Sequence, residues 1–279
     1  SKTTEIGYML KCYYELNTNT EYENTILYCM GFEGYLRCLY GVHKQWKEGI
    51  LNSTNFTIGA PDPIQVTEVD ISGEKELNNK PPCIMKNQFY PPHTHNENCV
   101  KNDVNLETYT IITGPNASGK TTYLKTTAIN VILSQQLGFG FYSECTMKPY
   151  THIHSYLNIP DTSGRDSLFQ AESRRCKTIL ESIQKHDTGH HFCIFDELYS
   201  GTNPKEATQA AYVFLQFLRQ YNHVDLFLTT HYVSICDKWE TDAVRDETDS
   251  LTSNDMEGKY VRPIQNCKMN CDTLENGAH

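Results

Sequence analysis

The chain has no apolar run approaching the roughly 20 residues that a membrane span needs. Its longest apolar stretches, such as residues 213–218 with Gln216 breaking the run, fall far short of that, so no contact with a membrane is expected. There is no Cys-x-x-Cys pair, although eleven cysteines are scattered between Cys12 and Cys271 and several fall inside apolar stretches. An odd, unclustered set predicts reduced thiols in an intracellular protein, cytoplasmic or nuclear and not secreted, rather than a disulfide framework. Positive charge is scarce, with 24 Lys and Arg against 34 Asp and Glu and a formal net charge of −10. Affinity for a phosphate backbone comes mainly from clustered cations, so the chain is not expected to grip nucleic acid by itself. Other domains must hold any DNA. The N-terminus, Ser-Lys-Thr-Thr-Glu, offers neither an initiating Met nor an apolar leader, and reads as part of a longer protein.

At 279 residues and 38% apolar composition, one full-sized core and a small appendage are expected. In residues 20–50 the apolar side chains Tyr28, Phe32, Tyr35, Leu36, Leu39, Val42 and Trp46 recur at spacings of three and four. This predicts an amphipathic helix that packs its stripe on a neighbour. Residues 52–105 are rich in Asn, Thr and Pro, including Pro61, Pro63, Pro81, Pro82, Pro91 and Pro92. Such a stretch permits only short strands and reads as a connector. From Tyr109 onward, strands are expected at residues 109–113, 140–145, 192–195 and 225–229, alternating with helices at 120–137, 166–185 and 204–221. The second helix carries a stripe of Cys176, Ile179, Leu180 and Ile183. Alternation of this kind predicts an α/β fold with a mostly parallel sheet flanked by helices. The domains are expected to be a helical connector at 1–60 and an α/β domain at 61–279. The acidic stretch 241–256 reads as a loop or insertion.

The segment Gly114-Pro-Asn-Ala-Ser-Gly-Lys-Thr121 fits the Gly-x4-Gly-Lys-Ser/Thr phosphate loop, and it follows an apolar strand and opens a helix. Glycines let backbone N–H groups approach phosphates, and the helix N-terminus adds a favourable dipole. Lys120 can neutralise the outer phosphates of ATP, and the Thr121 hydroxyl can ligate Mg2+. The binding residues expected are therefore Gly114, Pro115, Asn116, Ala117, Ser118, Gly119, Lys120, Thr121 and Thr122. Downstream, His191-Phe-Cys-Ile-Phe-Asp-Glu197 places two carboxylates at a strand end in the layout of a Walker B strand. There Asp196 can hold the Mg2+ shell while Glu197 polarises the attacking water. A third strand, Leu228-Thr-Thr-His231, ends in a histidine positioned to sense a γ-phosphate.

Together these elements resemble the ATPase domain of the MutS family of DNA mismatch-repair proteins, a branch of the ABC-type P-loop NTPases. The family's Thr-Gly-Pro-Asn-Met-Gly-Gly-Lys-Ser-Thr loop resembles residues 113–122, with Ala117, Ser118 and Thr121 as conservative departures. Its Asp-Glu-Leu-Gly-Arg-Gly-Thr resembles Asp196-Glu-Leu-Tyr-Ser-Gly-Thr202, with Ser200 in place of the Arg, and its Ala-Thr-His-Tyr resembles Thr229-Thr-His-Tyr232. Ser167-Leu-Phe-Gln-Ala-Glu-Ser173 is similar to the family's Ser-Thr-Phe-Met-Val-Glu-Met signature. Val100-Lys-Asn-Asp103 and Gln265-Asn-Cys-Lys-Met269 match its flanking motifs. The resemblance spans roughly residues 85 to 270. It implies an ATPase acting through Lys120, Glu197 and His231, with Asp196 and Thr121 on Mg2+ and Ser167 reaching the ATP of a second MutS-type subunit, in a homodimer or heterodimer. Turnover would open and close a clamp on DNA. No mismatch-reading Phe-x-Glu segment is present, so the chain alone is not expected to recognise mismatches, and the family's C-terminal dimerisation segment is also missing.

Cys99 stands where the family usually offers the adenine an aromatic ring, which Phe89 or Tyr90 could supply instead. His93, His95 and Cys99 could be three metal ligands, but their spacing fits no common metal motif. The His152-x-His154 and His190-His191 pairs read as strand surface. A transporter-type or chromosome-maintenance ABC ATPase should show a Leu-Ser-Gly-Gly-Gln signature, and none is visible. A non-catalytic, ATP-ordered dimerisation module is disfavoured by intact Lys120 and Glu197.

Overall fold

The computed structural model describes residues 2–57, 83–96, 99–157, 168–239 and 264–269, and divides the chain into two compact units, Ser1–Leu51 and Asn52–His279. The first unit is a pair of helices, α1 (Lys2–Thr18) and α2 (Thr20–Lys47). The break between them lies in an Asn-Thr-Asn-Thr run whose side chains compete for the backbone. Thr18 Oγ1 donates to the Tyr14 carbonyl at 2.7 Å, and the Asn19 side chain caps α2 by accepting from the Glu21 N–H at 3.0 Å. Neither helix contains a buried residue. The expected stripe of α2 does not pack: Tyr28, Phe32, Tyr35, Leu36, Leu39 and Trp46 are exposed. Two helices alone supply no further layer to close over such a face.

Among the described residues, the second unit holds two sheets. One is wholly parallel, formed by β4 (Tyr109–Thr113), β7 (His152–Tyr156), β8 (His191–Asp196), β9 (Val224–Thr230) and β10 (Ile264–Lys268) in the order β10-β4-β9-β8-β7. The other is mixed, formed by β1 (Asn52–Phe56), β2 (Ile84–Gln88), β3 (Asn102–Asn105), β5 (Phe139–Gly140) and β6 (Glu144–Met147) in the order β3-β2-β6-β1-β5. Helices among the described residues include α3 (Lys120–Leu137), α4 (Leu168–Lys185) and α5 (Pro204–Leu218). The α/β fold, with its parallel sheet flanked by helices, is thus the one expected of a P-loop NTPase.

Alternation along β8 explains the layering. Cys193 and Phe195 face a core with Cys176, Ile179 and Ile183 of α4 and Ala207, Ala211 and Leu215 of α5. Phe192 and Ile194 face the other way, into a core with Leu124, Ala128 and Val131 of α3 and Met85 and Met147 of the mixed sheet. The α4 stripe is as expected, with Leu180 partly buried.

The strand expected at 140–145 is interrupted. Gly140 closes β5 and β6 begins at Glu144, because the Tyr142 ring folds over Gly140, where an added Cβ would lie 2.3 Å from Tyr142 Cε1. Tyr142 holds that turn through its hydroxyl, which bonds Thr54 and, at 2.9 Å, Ser134. The helix expected at 204–221 stops at Leu218. The connector contributes β1, β2 and β3. The acidic stretch 241–256 lies outside the described residues, and among those described no helix is long and apolar enough to cross a membrane.

Candidate functional site

The loop joining β4 to α3 is shaped by conformations that ordinary residues avoid. Gly119, at the N-cap of α3, has φ +90°, and Ala117 takes φ +61° without being glycine. Gly114 has no room for a side chain, since a Cβ would come within 2.9 Å of both Met269 Cβ and Ser118 Oγ. Pro115, Asn116 and Ala117 are exposed on the loop, and Thr122 is half-buried in the first turn of α3. Lys120 is only 5% exposed, and its ammonium donates to the Gly114 and Pro115 carbonyls, both at 2.9 Å. Ser118 Oγ is buried without a hydrogen-bond partner. A buried ammonium curled onto its own loop and an orphaned hydroxyl beside it suit a site for an anionic group.

Strand order brings the remaining residues to the same edge. β9 lies between β4 and β8, so the C-terminal ends of all three strands meet there. Thr121 Oγ1 donates to Asp196 Oδ1 at 3.0 Å. A hydroxyl and a carboxylate converging in this way are the hard oxygen donors that Mg2+ takes, so the residues present fit that ion. Glu197 turns out of the strand with φ +51°, and its Oε1 accepts from His231 Nε2 at 2.6 Å. The backbone N–H of Glu197 is anchored by Thr229, through its carbonyl and its Oγ1, each at 3.1 Å. The same Thr229 hydroxyl donates to Asp196 Oδ1 at 2.6 Å. The sequence gives no sign of this role, because it depends on Thr229 lying opposite Asp196 across the sheet.

The segment after Glu197 is clasped by α4. Glu172, only 2% exposed, accepts from Ser200 Oγ at 3.2 Å and from the Gly201 N–H at 3.3 Å. The Phe169 and Tyr199 rings pack at 5.5 Å, and a Cβ on Gly201 would meet Leu168 Cγ at 2.7 Å. Burial, and then the Glu172 charge, pushes the Tyr156 hydroxyl far above its ordinary pKa, so it stays protonated beside that carboxylate. Ser167, one residue before α4, lies outside the described residues. Cys99 is partly buried. Phe89 packs edge-on to Phe141 at 5.6 Å with Lys101 Nζ above its ring at 5.7 Å, and Tyr90 packs on His93 at 5.3 Å.

The His pairs differ from the expected strand surface. At the opposite edge of the parallel sheet, where β7 and β8 begin, His191 is buried and His154 partly so. Their parallel register sets His152 beside His191, with ring centroids 4.6 Å apart. His191 Nε2 faces the His186 carbonyl at 2.9 Å and must donate to it. Nδ1 is then left as the acceptor for His154 Nε2–H at 2.8 Å.

The family model of MutS domain V matches residues 110–271. A DNA mismatch repair protein MutS of Leuconostoc mesenteroides is 30% identical over 165 residues, covering 54% of this chain and 19% of that protein. An Endonuclease MutS2 of Staphylococcus aureus is 30% identical over 167 residues, covering 58% of this chain and 21% of that protein. The chain thus spans about a fifth of the length of the curated relatives it matches.

Proposed function

The chain belongs to the MutS family through its domain V, and from that premise we propose that it binds and hydrolyses ATP and couples turnover to the holding of DNA by other domains, as in mismatch repair. The observation that supports this best is the 3.0 Å contact between Thr121 of the phosphate loop and Asp196 at the end of β8. Two motifs far apart in the chain meet there, which supports a site for ATP with Mg2+.

In this reading the loop N–H groups and Ser118 receive the phosphates. Lys120 leaves its two carbonyls for the outer phosphate oxygens. Thr121 and Asp196 would hold Mg2+, which supplies charge neutralisation between the outer phosphates. Glu197 orients a water whose oxygen attacks the γ-phosphorus as the bond to the β-phosphate oxygen breaks, and one carboxylate oxygen takes the proton. His231 holds the other oxygen, Oε1, and can turn toward the γ-phosphate. Hydrolysis completes with a second MutS-type subunit, whose signature residue corresponding to Ser167 reaches this nucleotide.

One substitution tests the chemistry. Glu197→Gln is expected to keep ATP binding while turnover falls by about 10²-fold or more, the range for losing a positioned general base. Undiminished turnover would sink the catalytic role. Relatives named for mismatch repair and for endonuclease activity match at equal identity, so a second reading of the whole protein stands beside the first: a MutS-like ATPase acting on recombination intermediates or chromosomes.

A further inference from the structure

We propose that Thr229 is a positioning residue that sets how this chain engages Mg2+-bound ATP, an inference that rests on the ATPase reading above. Thr229 is fully buried in β9, between Ile112 of β4 and Asp196 of β8 in register. It therefore sits between the strand that feeds the phosphate loop and the strand that carries the carboxylates. The family motif quoted above has Ala at this place, so the hydroxyl is a feature of this chain beyond that pattern.

The hydroxyl does two things at once. Its proton goes to Asp196 Oδ1 at 2.6 Å, and its oxygen accepts from the Glu197 N–H at 3.1 Å. Asp196 Oδ1 also receives the Thr121 hydroxyl at 3.0 Å. If Thr121 turns its oxygen toward Mg2+, Thr229 keeps the carboxylate in place from the other side. At the neighbouring residue it steadies a left-handed backbone, φ +51°, that a glutamate does not adopt freely. One buried side chain thus orients the cation-binding carboxylate and fixes the peptide from which the water-polarising carboxylate projects. Groups that orient a metal's ligands typically change metal affinity by about 10- to 100-fold when removed.

The test is an equilibrium titration with Mg2+, following a fluorescent ATP analogue on the full chain and its variants. Thr229→Val keeps the shape and removes the hydroxyl. It is expected to need about tenfold more Mg2+ for half-saturation, while affinity for the analogue in chelator is retained. Thr229→Ser is expected to restore the original Mg2+ dependence. Thr229→Ala against Thr229→Ser gives the same comparison without the methyl group, should the valine variant fail to fold. Equal Mg2+ dependence with and without the hydroxyl overturns the positioning role and leaves the ATPase reading standing. If the unsubstituted chain binds the analogue without any response to Mg2+, the ATPase reading fails and carries this inference with it.

Discussion

Lys120 is the residue whose surroundings bear most directly on the proposed ligand. Its ammonium is buried, and it bonds two carbonyls of its own loop, so the fold carries part of the cost of desolvating a charge. Lys120→Met is therefore expected to weaken ATP binding at least tenfold without lowering the thermal midpoint, measurable by nucleotide titration and by melting. A melt lowered by many degrees would mean that the lysine serves the fold rather than the ligand. Backbone strain gathers at the same place. Four non-glycine residues among those described have positive φ, and three of them, Ala117, Glu197 and Tyr199, lie in the two loops that face each other here. At roughly 1–3 kcal/mol each, such conformations persist only where the surroundings impose them.

At the scale of elements, α4 and the loop following β8 act as one piece. Glu172 supplies both acceptors that tie Ser200 and Gly201 to the helix, and the helix begins at Leu168, the residue after Ser167, the one proposed as the signature. Glu172→Ala should release the loop that carries Glu197 and lower turnover more than it lowers ATP affinity. Glu172→Gln, which can still accept from the Gly201 N–H and donate to Ser200, should recover most of the loss. A split of that kind between kcat and binding is not expected from a general loss of stability.

The histidines where β7 and β8 begin predict a pH response. Burial first, and then the neighbouring His191 and His152, hold the His154 pKa down to about 4 from 6.5, and burial also lowers that of His191. A base with a depressed folded pKa makes the unfolded chain bind more protons, so stability is complete above about pH 6.5 and falls as pH drops toward 4. A second proton on His191 would also meet the His154 N–H head-on. Melting between pH 7 and 4.5 should show this decline, and His154→Gln, which retains a donor for His191 but cannot titrate, should make it shallower. Equal slopes for the two chains would refute the assignment.

At the scale of the whole molecule, the proposed function has an ATP site shared between two subunits. If Ser167 completes the site of a second copy, turnover per chain should rise with protein concentration and on fusing a dimerisation element. A flat specific activity over a wide dilution series would contradict the shared site. The charge balance bears on the same scale: at −10, the chain is poorly suited to hold DNA alone, and in the proposed function that grip belongs to other domains.

Most of the candidate chemistry was legible in the sequence because it is local. A loop that cradles phosphate needs its glycines, lysine and hydroxyl at fixed offsets, and two carboxylates at a strand end are contiguous, so Lys120, Thr121, Asp196 and Glu197 announce themselves. The period-two strands and helix stripes of the parallel sheet are local as well. What the sequence could not give is register and layer order. That β9 lies between β4 and β8, placing Thr229 against Asp196, that Glu172 reaches back to Ser200 and Gly201, and that His191 is buried rather than on a strand surface all depend on contacts between distant segments. The helical stripe of α2 shows the converse. Its periodicity fixed a helix but not a covering layer, because burial is decided by what the rest of the fold brings to that face, and nothing in its own unit closes over it.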